Sequence, residues 1–132
     1  MIKKIFISSI IVTVILIYML KLPNLITNAD KLIKEYYYDD FFKSLILDLI
    51  LFQLYIYAGN YFIDYFKIKS LPSKLAVIAV ISMIITSIFM FLFLKFASKD
   101  LFFYRWFKTA GFLAAIYDAI LVTSIYIISL YL

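Results

Sequence analysis

Residues 75–94 read LAVIAVISMIITSIFMFLFL, an uncharged run held between Lys74 and Lys95. At about 1.5 Å per residue a helix of that length covers about 30 Å, the hydrocarbon thickness of a bilayer. In lipid every backbone N–H and C=O must be bonded within the protein, and a single segment achieves that only as a helix. The stretch therefore decides the fold class: an all-α integral membrane protein.

Three further runs repeat the pattern, at about residues 5–20, 44–63 and 109–132. The first is bracketed by Lys3, Lys4 and Lys21, whose long side chains can snorkel to complete a slightly short span. Its basic start also resembles a signal peptide, with Thr27-Asn28-Ala29 as a distant cleavage site, but the apolar run is long for that and an uncleaved anchor is favoured. Short connections, one punctuated by Pro72 and Ser73, predict antiparallel neighbours. The expectation is one membrane domain over residues 1–132, a four-helix bundle.

The connection over residues 21–43 is longer. Thr27 and Asp30 make a weak capping box, after which Leu32, Ile33, Tyr36, Tyr37 and Phe41 recur at helical spacing. This predicts a short amphipathic helix lying in the interface between spans one and two. Tyr36, Tyr37 and Tyr38 would form an aromatic belt there, with Lys31, Lys34 and Lys43 reaching headgroups. A docking platform for a partner protein is the alternative.

Composition agrees with lipid as the solvent. Of the 132 residues, 67% are hydrophobic and 20% aromatic, and mean hydropathy is +1.05. A soluble domain of this size could not hide so much apolar surface. Cys and His are both absent, which removes thiolate nucleophiles, disulfides, imidazole general bases and the usual zinc and haem ligands. No metal, cofactor or catalytic residue is expected, and the chain reads as non-enzymatic.

The net charge of +5 comes from twelve Lys and one Arg, all near span ends, and suits anionic headgroups. Basic residues alternate with aromatics over residues 98–108, a mixture that could stack single-stranded nucleic acid. Beside two spans it reads instead as a membrane interface, with Arg105, Trp106 and Lys108 pinning span four, and no nucleic-acid partner is expected. Orientation stays open. One side carries Lys3, Lys4, Lys67, Lys69 and Lys74, and the other Lys21, Lys31, Lys34, Lys43, Lys95, Lys99, Arg105 and Lys108. The positive-inside rule places the richer side in the cytoplasm, whereas a Lys-Lys start usually stays in.

Two acids lie inside spans, and intramembrane carboxylates must be neutralised, paired or hydrated. Asp118 stands near the middle of span four, and Asp48 lies four residues into span two. Both spans leave from the same membrane side, so the two acids share one half of the bilayer. Along span two, Asp48, Phe52, Tyr55, Gly59 and Phe62 share a face, and Gln53, Tyr57, Asn60 and Asp64 another. Small residues at Gly111, Ala115 and Ala119 form spacings that permit close helix approach beside Asp118.

The stretch from Phe103 to Gly111, continuing to Tyr117-Asp118 and Ile125-Tyr126, resembles uncharacterised small membrane proteins of large AT-rich DNA viruses. Ile46-Leu47-Asp48-Leu49-Ile50 and Tyr55-Ile56-Tyr57-Ala58 are similar in style. The resemblance implies a virion or host-membrane location beneath a capsid, and no activity. Two functions follow as expectations. The first is a structural or assembly component of a viral or intracellular membrane, its partners being the bilayer, a capsid or other membrane protein, or further copies of itself. In that role Asp48 and Asp118, held by Tyr hydroxyls, by Lys43 or Arg105 reaching inward, or kept protonated, only specify packing; the alternative is a small proton- or ion-coupled transporter or channel using Asp48 and Asp118.

Overall fold

The computed structural model describes residues 2–27, 30–39 and 41–132. The cleavage-like tripeptide contains residues 28 and 29 and the capping pair is separated by them, so both depend on positions outside the described residues. Among the described residues there is helix and no strand.

Helix α1 (Ile2–Val12) runs straight into a π-helical segment, Thr13–Met19. Short helices α2 (Leu22–Thr27) and α3 (Asp30–Ile33) follow, the latter continuing as a second π-helical segment, Lys34–Asp39. Then come α4 (Phe41–Tyr65), α5 (Leu71–Phe96), α6 (Phe102–Ala110) and α7 (Phe112–Tyr131).

Three of these, α4, α5 and α7, are long and apolar enough to cross a membrane. The first apolar run differs from the other three. Its α-helical part has 11 residues, and beyond Val12 the bonding widens to i→i+5, so each residue advances the chain less. Even at full α-helical rise residues 2–19 would cover only about 27 Å. The run nevertheless packs as a helix should: Ile5, Ser8, Ser9, Val12 and Thr13 are buried on one face. That face meets α4 and α7.

The ends of the long helices have local causes. Ser70 caps α5, its hydroxyl accepting from the Ser73 N–H at 3.2 Å, and Pro72 sits in the first turn where a missing N–H costs nothing. The helix therefore starts ahead of residue 75. At the end of α4, Lys67 adopts φ 54° and the Ile68 N–H reaches back to the Ile63 carbonyl at 3.0 Å, a left-handed terminator that turns the chain towards α5. Residues 109–111 do not belong to the last span. Gly111 has φ 57° and ψ −134°, a backbone conformation that essentially only glycine holds, and it separates α6 from α7.

In packing order, α4 touches α1 and α5, α5 touches α7, and α7 touches α1, so the four helices close a ring. Helix α7 lies deepest, burying Ala114, Ala115, Tyr117, Ala119, Leu121, Val122 and Ile125. Helix α5 is the reverse. Only Ile78, Ser82 and Thr86, one stripe at i, i+4, i+8, are buried, while Val80, Ile84 and Ile88 are each at least half exposed. Aliphatic faces of that extent are intolerable in water and natural against acyl chains.

Candidate functional site: an acid-bearing aromatic cavity

The two intramembrane acids come from different helices, and both border one cavity of about 260 Å³. Asp48 stands about 10 Å along α4 and Asp118 about 9 Å along α7, measured from the helix starts on the side of α6. Helix α5 runs the other way and brings Thr86 to the same level. The walls between them are Phe52 and Tyr55 of α4, Phe89 and Phe93 of α5, and Tyr117 and Leu121 of α7.

Each carboxylate is held by a hydroxyl. Tyr36 donates to Oδ1 of Asp48 at 2.7 Å, and Thr86 donates to Oδ2 of Asp118 at 2.6 Å. Thr86 also pairs with the Tyr55 hydroxyl at 3.2 Å. A threonine hydroxyl has one proton, so while Thr86 gives it to Asp118 the Tyr55 hydroxyl must be the donor to Thr86. Tyr55, Thr86 and Asp118 thus form a directed chain across α4, α5 and α7.

The roof comes from the first and third connections. The sequence predicts tyrosines facing headgroups here, whereas the π-helical segment after α3 turns Tyr36 and Tyr37 inward and leaves Tyr38 exposed. The cause is hydrogen bonding: Tyr36 finds Asp48, Tyr37 pairs with the Tyr117 hydroxyl at 2.9 Å, and Tyr18 donates to the Tyr37 carbonyl at 2.8 Å. Burial, and then the charge of Asp48, push the Tyr36 hydroxyl well above the ordinary phenol value, so it remains a donor.

Helix α6 supplies the other half of the roof. Trp106 and Phe107 are buried within the chain. Trp106 packs edge-on against the Tyr117 ring at 6.2 Å and stacks with Phe102 at 6.4 Å, while Phe102 in turn stacks on Tyr36 at 4.7 Å with 12° between planes. The amphipathic helix of this connection was not expected as a helix. Its signal is present in the sequence, since Phe102, Phe103, Trp106, Phe107 and Ala110 recur at 1, 3, 1 and 3 residues.

The roof is pinned from outside by Arg105, which makes two parallel bonds to Glu35 at 2.7 and 2.8 Å. These are the chain's only Arg and only Glu. The guanidinium beside it holds the Glu35 carboxyl below its usual range, first by hydrogen bonding and then by charge. Arg105 therefore does not reach the intramembrane acids, and Lys43, the other basic residue near them in sequence, is exposed. Among the described residues no Lys or Arg lines the cavity.

The remaining sequence candidates scatter. Tyr57 is three-quarters exposed on the outer side of α4, Gln53 and Asn60 are half-buried, and Lys108 is exposed. Ala115 and Ala119 are buried in the helix contacts of α7. Gly111 is not at such a contact, because a Cβ there would meet nothing within 4 Å. The close approach belongs to Gly59, where a Cβ would collide with Cδ1 of Ile78 on α5. Among the described residues no group of three or more His, Cys, Asp or Glu could hold a metal ion.

The fold and the apolar helix faces define a class, the multi-pass helical membrane protein. Comparison with family models, curated proteins and solved structures finds no match.

Proposed function

We propose that the chain is a non-enzymatic, four-helix integral membrane protein that holds and passes a positive charge, the proton first, at Asp48 and Asp118. The observation that carries this reading is the cavity: two carboxylates border one space, from different helices, with no basic side chain among the described residues of its walls. A carboxylate in low-dielectric surroundings with no counterion demands a proton or a cation. Tyr55 and Thr86 extend the acid pair by a hydroxyl chain, and such chains relay protons by successive donor exchange. The first apolar run completes the four spans in this reading, with Lys3, Lys4 and Lys21 at its ends.

The test is a pH-gradient-driven proton flux in vesicles reconstituted with the full chain. Asp118→Asn keeps shape and removes the charge, so flux should fall to the level of empty vesicles while helical content is retained. Flux equal to that of empty vesicles in the wild type overturns the reading.

A different surface favours the second reading, a structural or assembly component of a viral or intracellular membrane. At the C-terminal end of α4 and just beyond it, Tyr61 stacks with Tyr65 and Phe62 with Phe66, each at 6.4 Å, and Tyr57, Tyr61, Tyr65 and Phe66 are all more than half exposed. Rigid aromatic ladders suit protein contacts as well as headgroups. Crosslinking from Tyr61 in native membranes should then capture a stoichiometric protein, and lipid-only products count against an assembly role.

A further inference from the structure

The inference here rests on the reading that Asp48 and Asp118 hold positive charge, and it concerns which cation they hold. A proton alone requires no ring-lined space of this size. An inorganic cation requires several hard oxygen ligands closing around it, as calcium and magnesium do. The space here is about 260 Å³, and rings line most of it. Aromatic faces attract cations through their quadrupole, and cages of rings with an acid are how ammonium groups are recognised. Two acids provide the charge, and the rings provide an apolar shell that an ammonium nitrogen with carbon arms fills and a hydrated ion does not.

We infer that the cavity binds an organic ammonium ion, a protonated amine or a quaternary ammonium. The nitrogen lies by Asp48 and Asp118, and the alkyl or aryl arms lie against Phe52, Phe93, Phe103 and Trp106. The ammonium is presented either by a free amine or by a choline-type lipid headgroup entering from the side of α6, the chemistry at the acids being shared.

Trp106 is the only tryptophan in the chain and lines the cavity, so its fluorescence reports on the site directly. N-ethylpyridinium, a cationic quencher, is titrated into the full chain in a neutral detergent. Saturable quenching is expected, reversed by benzyltrimethylammonium and not by neutral benzyl alcohol. Asp48→Asn and Asp118→Asn should each weaken binding at least tenfold. Repetition in nanodiscs separates the sources: phosphatidylcholine competes if the ligand is a headgroup, and phosphatidylglycerol does not. Linear, non-saturating quenching, or equal displacement by benzyl alcohol, overturns the inference. The two competitors are compared on the wild type, so a misfolded variant leaves the test intact. If proton flux depends on Asp118 while quenching never saturates, only the ammonium assignment fails; if flux is also absent, both readings fail.

Discussion

Thr86 is the residue on which three helices agree, and Thr86→Val removes its hydroxyl with almost no change of shape. Two hydrogen bonds are lost, the 2.6 Å bond to Asp118 on α7 and the 3.2 Å bond from Tyr55 on α4. Interhelical hydrogen bonds in membranes contribute about 0.6 kcal/mol on average and up to about 1.7. The short bond to a carboxylate belongs at the upper end and the longer phenol bond near the mean, so the variant should lose about 2 kcal/mol, roughly a 30-fold change in the folding constant. Thr86→Ser keeps the hydroxyl and loses one methyl, and should cost less than about 1 kcal/mol. The assay is reversible unfolding of the purified chain on titration of a mild-detergent solution with a denaturing detergent, followed by circular dichroism. A cycle with Asp118→Asn adds a second readout, because residues in one network are non-additive by about 0.5–3 kcal/mol. If Thr86→Val unfolds within about 0.5 kcal/mol of the wild type, or if Ser costs as much as Val, the hydroxyl does not bridge the helices.

Other perturbations probe the frame around the site. Gly111→Ala places a Cβ in open space but on a backbone only glycine holds comfortably, so it should destabilise by about 1–3 kcal/mol and shift Trp106 emission as α6 loosens; unchanged stability and emission would remove the hinge role. Gly59→Ala drives a methyl into Cδ1 of the fully buried Ile78, an overpacking cost of about 1–3 kcal/mol, and adding Ile78→Val, which deletes that atom, should recover much of it in the same unfolding assay. The Glu35–Arg105 pair gives a pH dependence of known sign. Its carboxyl is held below the ordinary 4.5 in the folded chain, so its contribution is full above that value and is lost as pH falls through the lowered one. Both partners are more than a third exposed, so solvent screening makes the effect small. Wild type should lose slightly more melting temperature than Arg105→Gln between pH 7 and pH 3, and identical losses would show that the pair adds nothing.

Much of the scaffold was legible because hydrocarbon imposes one period and one length. The runs at 44–63, 75–94 and 109–132 correspond to α4, α5 and α7, with ends displaced by Ser70, Lys67 and Gly111. The convergence of Asp48 and Asp118 was legible too, since alternating helix directions place both in one half of the bundle. The roof was not. Tyr36, Tyr37 and Trp106 have the chemistry of an interfacial belt, and the same amphipathic rings suit a buried hydroxyl network; only the positions of Asp48 and Tyr117 in three dimensions choose between them. Gly111 was ambiguous for a similar reason, since a glycine four residues before an alanine looks alike whether it admits a neighbouring helix or separates two helices. Thr86 carried a faint signal, as the last member of the stripe Ile78, Ser82, Thr86, but polar residues in a span give no hint of their partner.

The depth of α7 has a consequence for biogenesis. Helices enter a membrane in chain order, N-terminal first, and then associate laterally. Helices α4 and α5 are joined by a tight turn, and Tyr55 can meet Thr86 as soon as that pair is inserted. Asp48 already has Tyr36, which precedes it in the chain. Asp118 arrives after all of these, on the helix that buries the most side chains, and pairs with Thr86. The cavity therefore cannot close before α7 is made, and a ribosome stalled ahead of α7 would leave one acid, an unfinished wall and no site.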